Sequence, residues 1–125
     1  MIRLFYYTSI NNYQDENPPV EMDVQSVTID NGLVTIVDAD GIKQYLKDFF
    51  ALTYKNDYYF DKGSINVYMF GSLDAYIKSK ATLTEVVSEV VADNGFVVLK
   101  NAYTQIINPS KLIAITQERK EGSTW

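Results

Sequence analysis

Two stretches of this chain place apolar residues at i, i+3, i+4, i+7 and i+8, the spacing of a helix that lays one stripe on a core. The first is Ile42, Tyr45, Leu46, Phe49 and Phe50, and the second is Leu83, Val86, Val87, Val90 and Val91. They match position for position at an offset of 83 − 42 = 41 residues, and each is followed by an alanine, Ala51 and Ala92. Thr82 and Glu85 stand at capping-box spacing before the second stripe, where hydroxyl and carboxylate would satisfy early backbone N–H groups. Asn94-Gly95 beyond it tolerates a left-handed stop. The doublets of VVSEVV cannot alternate with period two, so the pattern predicts a helix despite the stiff branched carbon of valine.

Before the first stripe, Asn31-Gly32 separates VTID from LVTI, the pair that a two-residue type I′ hairpin turn demands. The implied register sets Ile29 against Val34 and Val27 against Ile36 on one face, with Thr28 against Thr35 on the other. Gly71-Ser72, 40 residues after Asn31-Gly32, suits a type II′ turn joining INVYMF to LDAYIK. The reading is two ββα units, about 24–51 and 64–92, in an α+β fold. Their helices pack on a mostly antiparallel sheet as a two-layer domain, with a C-terminal hairpin added.

The remaining segments fit around these units, and 1–125 reads as one domain. Met1 to Ile10 predicts an opening strand, and Asn11 to Asp23, broken by Pro18-Pro19, an exposed loop. Leu52 to Gly63 predicts a loop or short hairpin, and Phe96 to Leu99 a strand. Tyr103 to Ile107 and Lys111 to Thr116 predict a hairpin around Asn108-Pro109-Ser110-Lys111. Residues 117–125 form a charged tail whose Trp125 either docks or dangles.

Charge narrows the function classes. Eleven basic against sixteen acidic residues give a net charge of −5, with the lysines scattered. A phosphate-tracking surface needs a basic excess or stripe, so nucleic-acid binding is disfavoured. No apolar run reaches membrane-helix length, and MIRLFYYTSINNY lacks the form of a signal peptide. The expected location is the cytoplasm or a virion.

Catalytic chemistry has few carriers. Without His or Cys, imidazole and thiolate schemes are absent, leaving Asp, Glu, Lys and Tyr. Asp38-Ala39-Asp40-Gly41 begins like a calcium loop but lacks the later ligands and closing glutamate, so it reads as a turn with Asp40 capping the next helix. Glu85 and Glu89 fall on the polar helix face as solvated carboxylates. A hydrolase-like enzyme would need two acids converging in a pocket. No catalytic residue, metal site or cofactor is expected.

The last stretches carry a resemblance. T-L-T-E opening a helix, then F-V-V-L-K-N-A-Y and I-N-P-S-K-L-I, resembles the C-terminal half of LytTR DNA-binding domains over about a third of the chain. That would imply a regulatory nucleic-acid-binding domain, the alternative function. Val98 and Lys100 stand where the family has its Arg and His, and its DNA-contacting residues have no counterparts to carry over.

The leading expectation is a non-catalytic protein-interaction or assembly module, such as a phage virion accessory or structural subunit (capsid, connector or tail). Its partner is another protein or further copies of itself. The candidate interface is the aromatic group Tyr54, Tyr58, Tyr59 and Phe60 between the two units, since rings around one loop often anchor protein contacts.

Overall fold

Asn31-Gly32 turns the chain as its chemistry requires, with φ of 50° and 75° at the two residues. The strands on either side pair Ile29 with Val34, Thr28 with Thr35 and Val27 with Ile36, the register expected from sequence. A computed structural model describes residues 1–57 and 65–119. In chain order its elements are β1 (Ile2–Tyr7), α1 (Ile10–Gln14), β2 (Val20–Asp30), β3 (Leu33–Asp38), β4 (Lys43–Leu46), β5 (Ala51–Lys55), β6 (Ile65–Phe70), α2 (Leu73–Ile77), β7 (Leu83–Val87), β8 (Glu89–Asp93), β9 (Phe96–Lys100), β10 (Tyr103–Ile107) and β11 (Ala114–Arg119), with a 3₁₀ turn at Pro109–Lys111.

The α+β expectation is overturned: the fold is mostly antiparallel β, with two short helices. Neither predicted long helix exists. Ile42 to Phe50 is β4 followed by an irregular crossing into β5, and Leu83 to Val91 is two strands broken at Ser88. The units 24–51 and 64–92 are therefore not ββα repeats. Apolar doublets imitate a helical stripe where one member of a strand pair is left exposed, as Tyr45 and Val86 are, and where the chain passes between cores so that each member faces a different one. Phe49 and Phe50 show it: both are fully buried, one in each of two separate clusters.

Those clusters follow from the strand order. An eight-stranded sheet runs β4-β3-β2-β1-β5-β10-β9-β8, and a three-stranded sheet runs β11-β6-β7. Because successive side chains point to opposite faces, β1 sends Leu4 and β5 sends Leu52 into one cluster, with Val34, Ile36, Phe96, Val98 and Ile106. Strands as far apart in that order as β2 and β8 line one hollow on this face, through Val27, Ile29 and Val91. Flat sheets cannot bring such strands together, so this sheet curls. The opposite face sends Tyr7, Ala51, Leu99 and Ile107 against Val67, Met69 and Val87 of the smaller sheet. A register shift between Val24 and Ser26 lets both Val24 and Val27 face the first cluster despite their odd separation.

Other expected segments divide in the same way. The opening strand, INVYMF as β6 and Phe96–Leu99 within β9 all form. Asn11 to Asp23 is not a plain loop: α1, capped by Ser9, runs on to Gln14 with Tyr13 buried, and β2 begins at Val20. Asp40 caps no helix; Asp38 accepts from the N–H groups of Asp40 and Ile42 at the β3–β4 turn. Asn94-Gly95 closes the β8–β9 hairpin with φ of 49° and 93°, instead of stopping a helix. LDAYIK holds a helix, and β10 and β11 lie in different sheets, so the expected second and C-terminal hairpins do not form. The charged tail begins in β11, which runs to Arg119, and Trp125 lies outside the described residues.

Gly32 gives a direct test of the turn. Space is open where a Cβ would stand, so the cost of Gly32→Val is backbone strain at φ +75° alone. It should exceed about 1 kcal/mol, the scale of forcing a branched residue left-handed. An unchanged denaturation midpoint would remove the turn from this account.

Candidate functional site

Of the aromatic group expected at an interface, Tyr54 is described and Tyr58, Tyr59 and Phe60 lie outside the described residues. Tyr54 is half-buried against the first core cluster and lines the hollow between β2 and β8. The described half-buried ring thus belongs partly to the core.

A larger cleft lies at the junction of the two sheets and α1, about 770 Å³ in volume. Its walls combine Tyr7, Tyr13 and Tyr103 with Glu16, Glu21 and Glu85, and among the described residues no lysine or arginine lines it. Glu85 occupies a strand position with its side chain turned inward, because Leu83, Glu85 and Val87 share the core side of β7. That overturns its placement on a solvated helix face; Glu89 is exposed on β8. Thr82, expected to cap that helix, accepts instead from the Gly71 N–H at 2.9 Å.

Inside the cleft a hydrogen-bonded chain crosses from one sheet to the other. Gln105 Nε2 donates to Tyr13 Oη at 2.5 Å, and the Tyr13 hydroxyl donates to Glu85 Oε1 at 3.1 Å. Burial, reinforced by Glu85, pushes the Tyr13 phenol well above its usual range. Burial also raises the Glu85 carboxyl, opposed by its bonds to Tyr13 and Gln105 and aided by the Glu16 charge. The hydrogen bond of Glu85 goes to a tyrosine rather than to a second acid. Among the described residues no group of three carboxylates is set to hold a metal ion.

A second feature is apolar and outward-facing. Ser72 caps α2 by accepting from the Ala75 N–H, and Tyr76 lays its ring edge-on against Phe70 at 5.5 Å. This anchoring leaves Leu73 60% and Ile77 70% exposed, one turn apart on the same helix face. Ile113, 52% exposed, is joined to the same corner by its N–H bond to the Phe70 carbonyl. Lys78 and Lys80 are exposed beside it, Lys78 paired with Asp74.

Compared with known protein families, curated proteins and solved structures, the chain has no match in any of the three.

The T-L-T-E segment that carried the LytTR resemblance is strand, not helix entry. No helix of the described residues is long and apolar enough to cross a membrane. Sequence reasoning missed the α2 corner, yet a signal was present. Serine stands directly before Leu73, Tyr76 and Ile77, an i, i+3, i+4 set with Asp74 in the first turn. The cleft had no such signal, because Tyr13, Glu85 and Gln105 are far apart in sequence and meet only across two sheets.

Proposed function

We propose that the chain is a non-catalytic assembly module that binds further copies of itself through the α2 corner. The observation carrying this reading is the Leu73–Ile77 pair, held rigid by a capped helix yet left in water. Exposed apolar side chains grouped at one corner mark an interface more often than scattered ones do. The occupant is another copy on charge grounds. Lys78 and Lys80 flank an apolar spot on a chain of net charge −5, so an acidic face of a second molecule complements it. Such contacts are head-to-tail, which suits a structural subunit of a larger particle, a virion among them. Open strand edges at β4, β8, β7 and β11 among the described residues can add backbone pairing.

Sedimentation over a concentration series tests this reading. The native chain should form species above its 14.2 kDa mass. Leu73→Ser with Ile77→Ser should remain monomeric while its melting temperature changes little, because neither side chain is buried. A native chain that stays monomeric at its highest soluble concentration would end the proposal, as would unchanged association in the double variant.

A further inference from the structure

Two halves of the chain repeat one unit. Residues 65–118 follow residues 2–55 at an offset of 65 − 2 = 63, with Ser9 and Ser72, Tyr13 and Tyr76, Asp30-Asn31-Gly32 and Asp93-Asn94-Gly95, and Thr53 and Thr116 in matching places. Strand pairing repeats at the same offset. Ile2 opposite Val24 recurs as Ile65 opposite Val87, and Tyr7 opposite Ala51 as Phe70 opposite Ala114. Ile29 opposite Val34 recurs as Ala92 opposite Val97. Serine caps both short helices, and a left-handed residue follows each, Glu16 and Ser79, both at φ 54°. The register shift of β2 between Val24 and Ser26 lies 63 residues before the break at Ser88, so β7 and β8 together are the counterpart of β2. By the same match β9, β10 and β11 are the counterparts of β3, β4 and β5. A shorter turn before β10 makes the offset there 107 − 46 = 61, since Val34 opposite Leu46 recurs as Val97 opposite Ile107.

The contacts that join the two units have counterparts that stand open. β5 of the first unit pairs with β10 of the second, while Tyr7, Ile10, Tyr13 and Phe50 of the first enter the cluster of Val67 and Val87. The counterparts of β5 and β10 are β11 and β4, and each is an edge strand with one neighbour among the described residues. Side chains follow the same rule. Tyr13 and Phe50 are buried between the units, whereas their counterparts Tyr76 and Ile113 are 48% and 52% exposed. Ile106 of β10 is buried, whereas its counterpart Tyr45 of β4 is 62% exposed. We propose that copies of the chain join as its two halves do, with β11 of one copy pairing antiparallel to β4 of the next. The α2 corner then covers the next copy's first unit near Val20, the exposed counterpart of Leu83. This rests on the reading of the chain as a self-assembling module and names the surface that receives its α2 corner. Register carries over as well. Gln105 opposite Thr53 becomes Gln44 opposite Thr116, and Thr104 opposite Tyr54 becomes Lys43 opposite Gln117. Edge strands offer unpaired backbone groups for such pairing. The contact is head-to-tail, so each joined copy still presents one free β4 or β11 to another.

The chain has no cysteine, so disulfide trapping can read this register directly. Lys43 and Gln117 are exposed on their strands, and opposed residues of an antiparallel pair place their Cα atoms about 4.5–5.5 Å apart, within disulfide reach. Under oxidation, a mixture of Lys43→Cys and Gln117→Cys chains should give a covalent dimer that neither variant gives alone. Lys43→Cys mixed with Thr84→Cys, exposed on the edge strand β7, should give none. A chain carrying both Lys43→Cys and Gln117→Cys should give covalent species from the dimer upward. Trapping by either single variant alone, equal trapping with Thr84→Cys, or a disulfide closed within one chain overturns the pairing. A native chain that sediments as a monomer throughout overturns both the pairing and the assembly reading beneath it. If the native chain associates and Leu73→Ser with Ile77→Ser disperses it, yet Lys43→Cys and Gln117→Cys do not trap, the pairing alone falls.

Discussion

Phe49→Ala is expected to lower the unfolding free energy by about 4 kcal/mol, within the range of aromatic truncations in protein cores. The ring is fully buried although its backbone belongs to neither β4 nor β5. It stacks on Phe96 at 5.4 Å and meets Tyr6 edge-on at 6.3 Å, bridging β9 and β1 across the concave face. Removing a fully buried ring leaves a cavity on this face, so the cavity term adds to the lost transfer energy. Chemical denaturation checks this. A loss under about 1 kcal/mol would mean that the site collapses freely and that Phe49 does not hold the curl.

Asn108→Leu should cost about 3 kcal/mol, through hydrogen bonds rather than volume. Asn108 is buried just after β10. Its Nδ2 donates to the carbonyls of Lys47 at 3.2 Å and Phe49 at 3.0 Å. Its Oδ1 accepts from Ser110 N at 3.2 Å and Ser110 Oγ at 2.7 Å. Leucine keeps the size but leaves those groups without their partner, at roughly 1–3 kcal/mol for each that water cannot reach. The segment it pins, residues 47–50, delivers Phe49 to one cluster and Phe50 to the other. Faster amide exchange at Phe50, whose N–H bonds to Tyr7, should accompany the loss. Undisturbed exchange there with a small stability change would assign the segment's order to the phenylalanines alone. Lys111, ion-paired to Asp48 at 2.6 Å, supports the segment from outside, and its salt-screened contribution is smaller.

The α2 corner and the Glu85 side chain in the cleft differ in how far sequence could reach them. Ser72, Asp74 and the Leu73–Ile77 pair lie within six residues, so local chemistry carries that helix. The reading of LDAYIK as a strand came from matching Gly71-Ser72 to the earlier hairpin, an analogy that outweighed the cap. Glu85 could not be placed without knowing that β7 is a strand, because strand and helix periods send it to opposite environments.

What the sequence determined by itself was local: the Asn31-Gly32 turn and its register, set by contacts within a few residues, and the strand character of β1, β6 and the segment at Phe96, set by their own β-branched and aromatic residues. Asn94-Gly95 carries the same turn chemistry, and it was misread because the valine doublets before it imitate a helix. Tertiary structure decided the rest. The doublet Phe49-Phe50 is ambiguous while only one core is imagined, since helical stripes and sheet crossings both place apolar residues side by side. Two cores on opposite faces of one curled sheet resolve it, and only the long-range pairing of β1 with β5 and β5 with β10 creates those two faces.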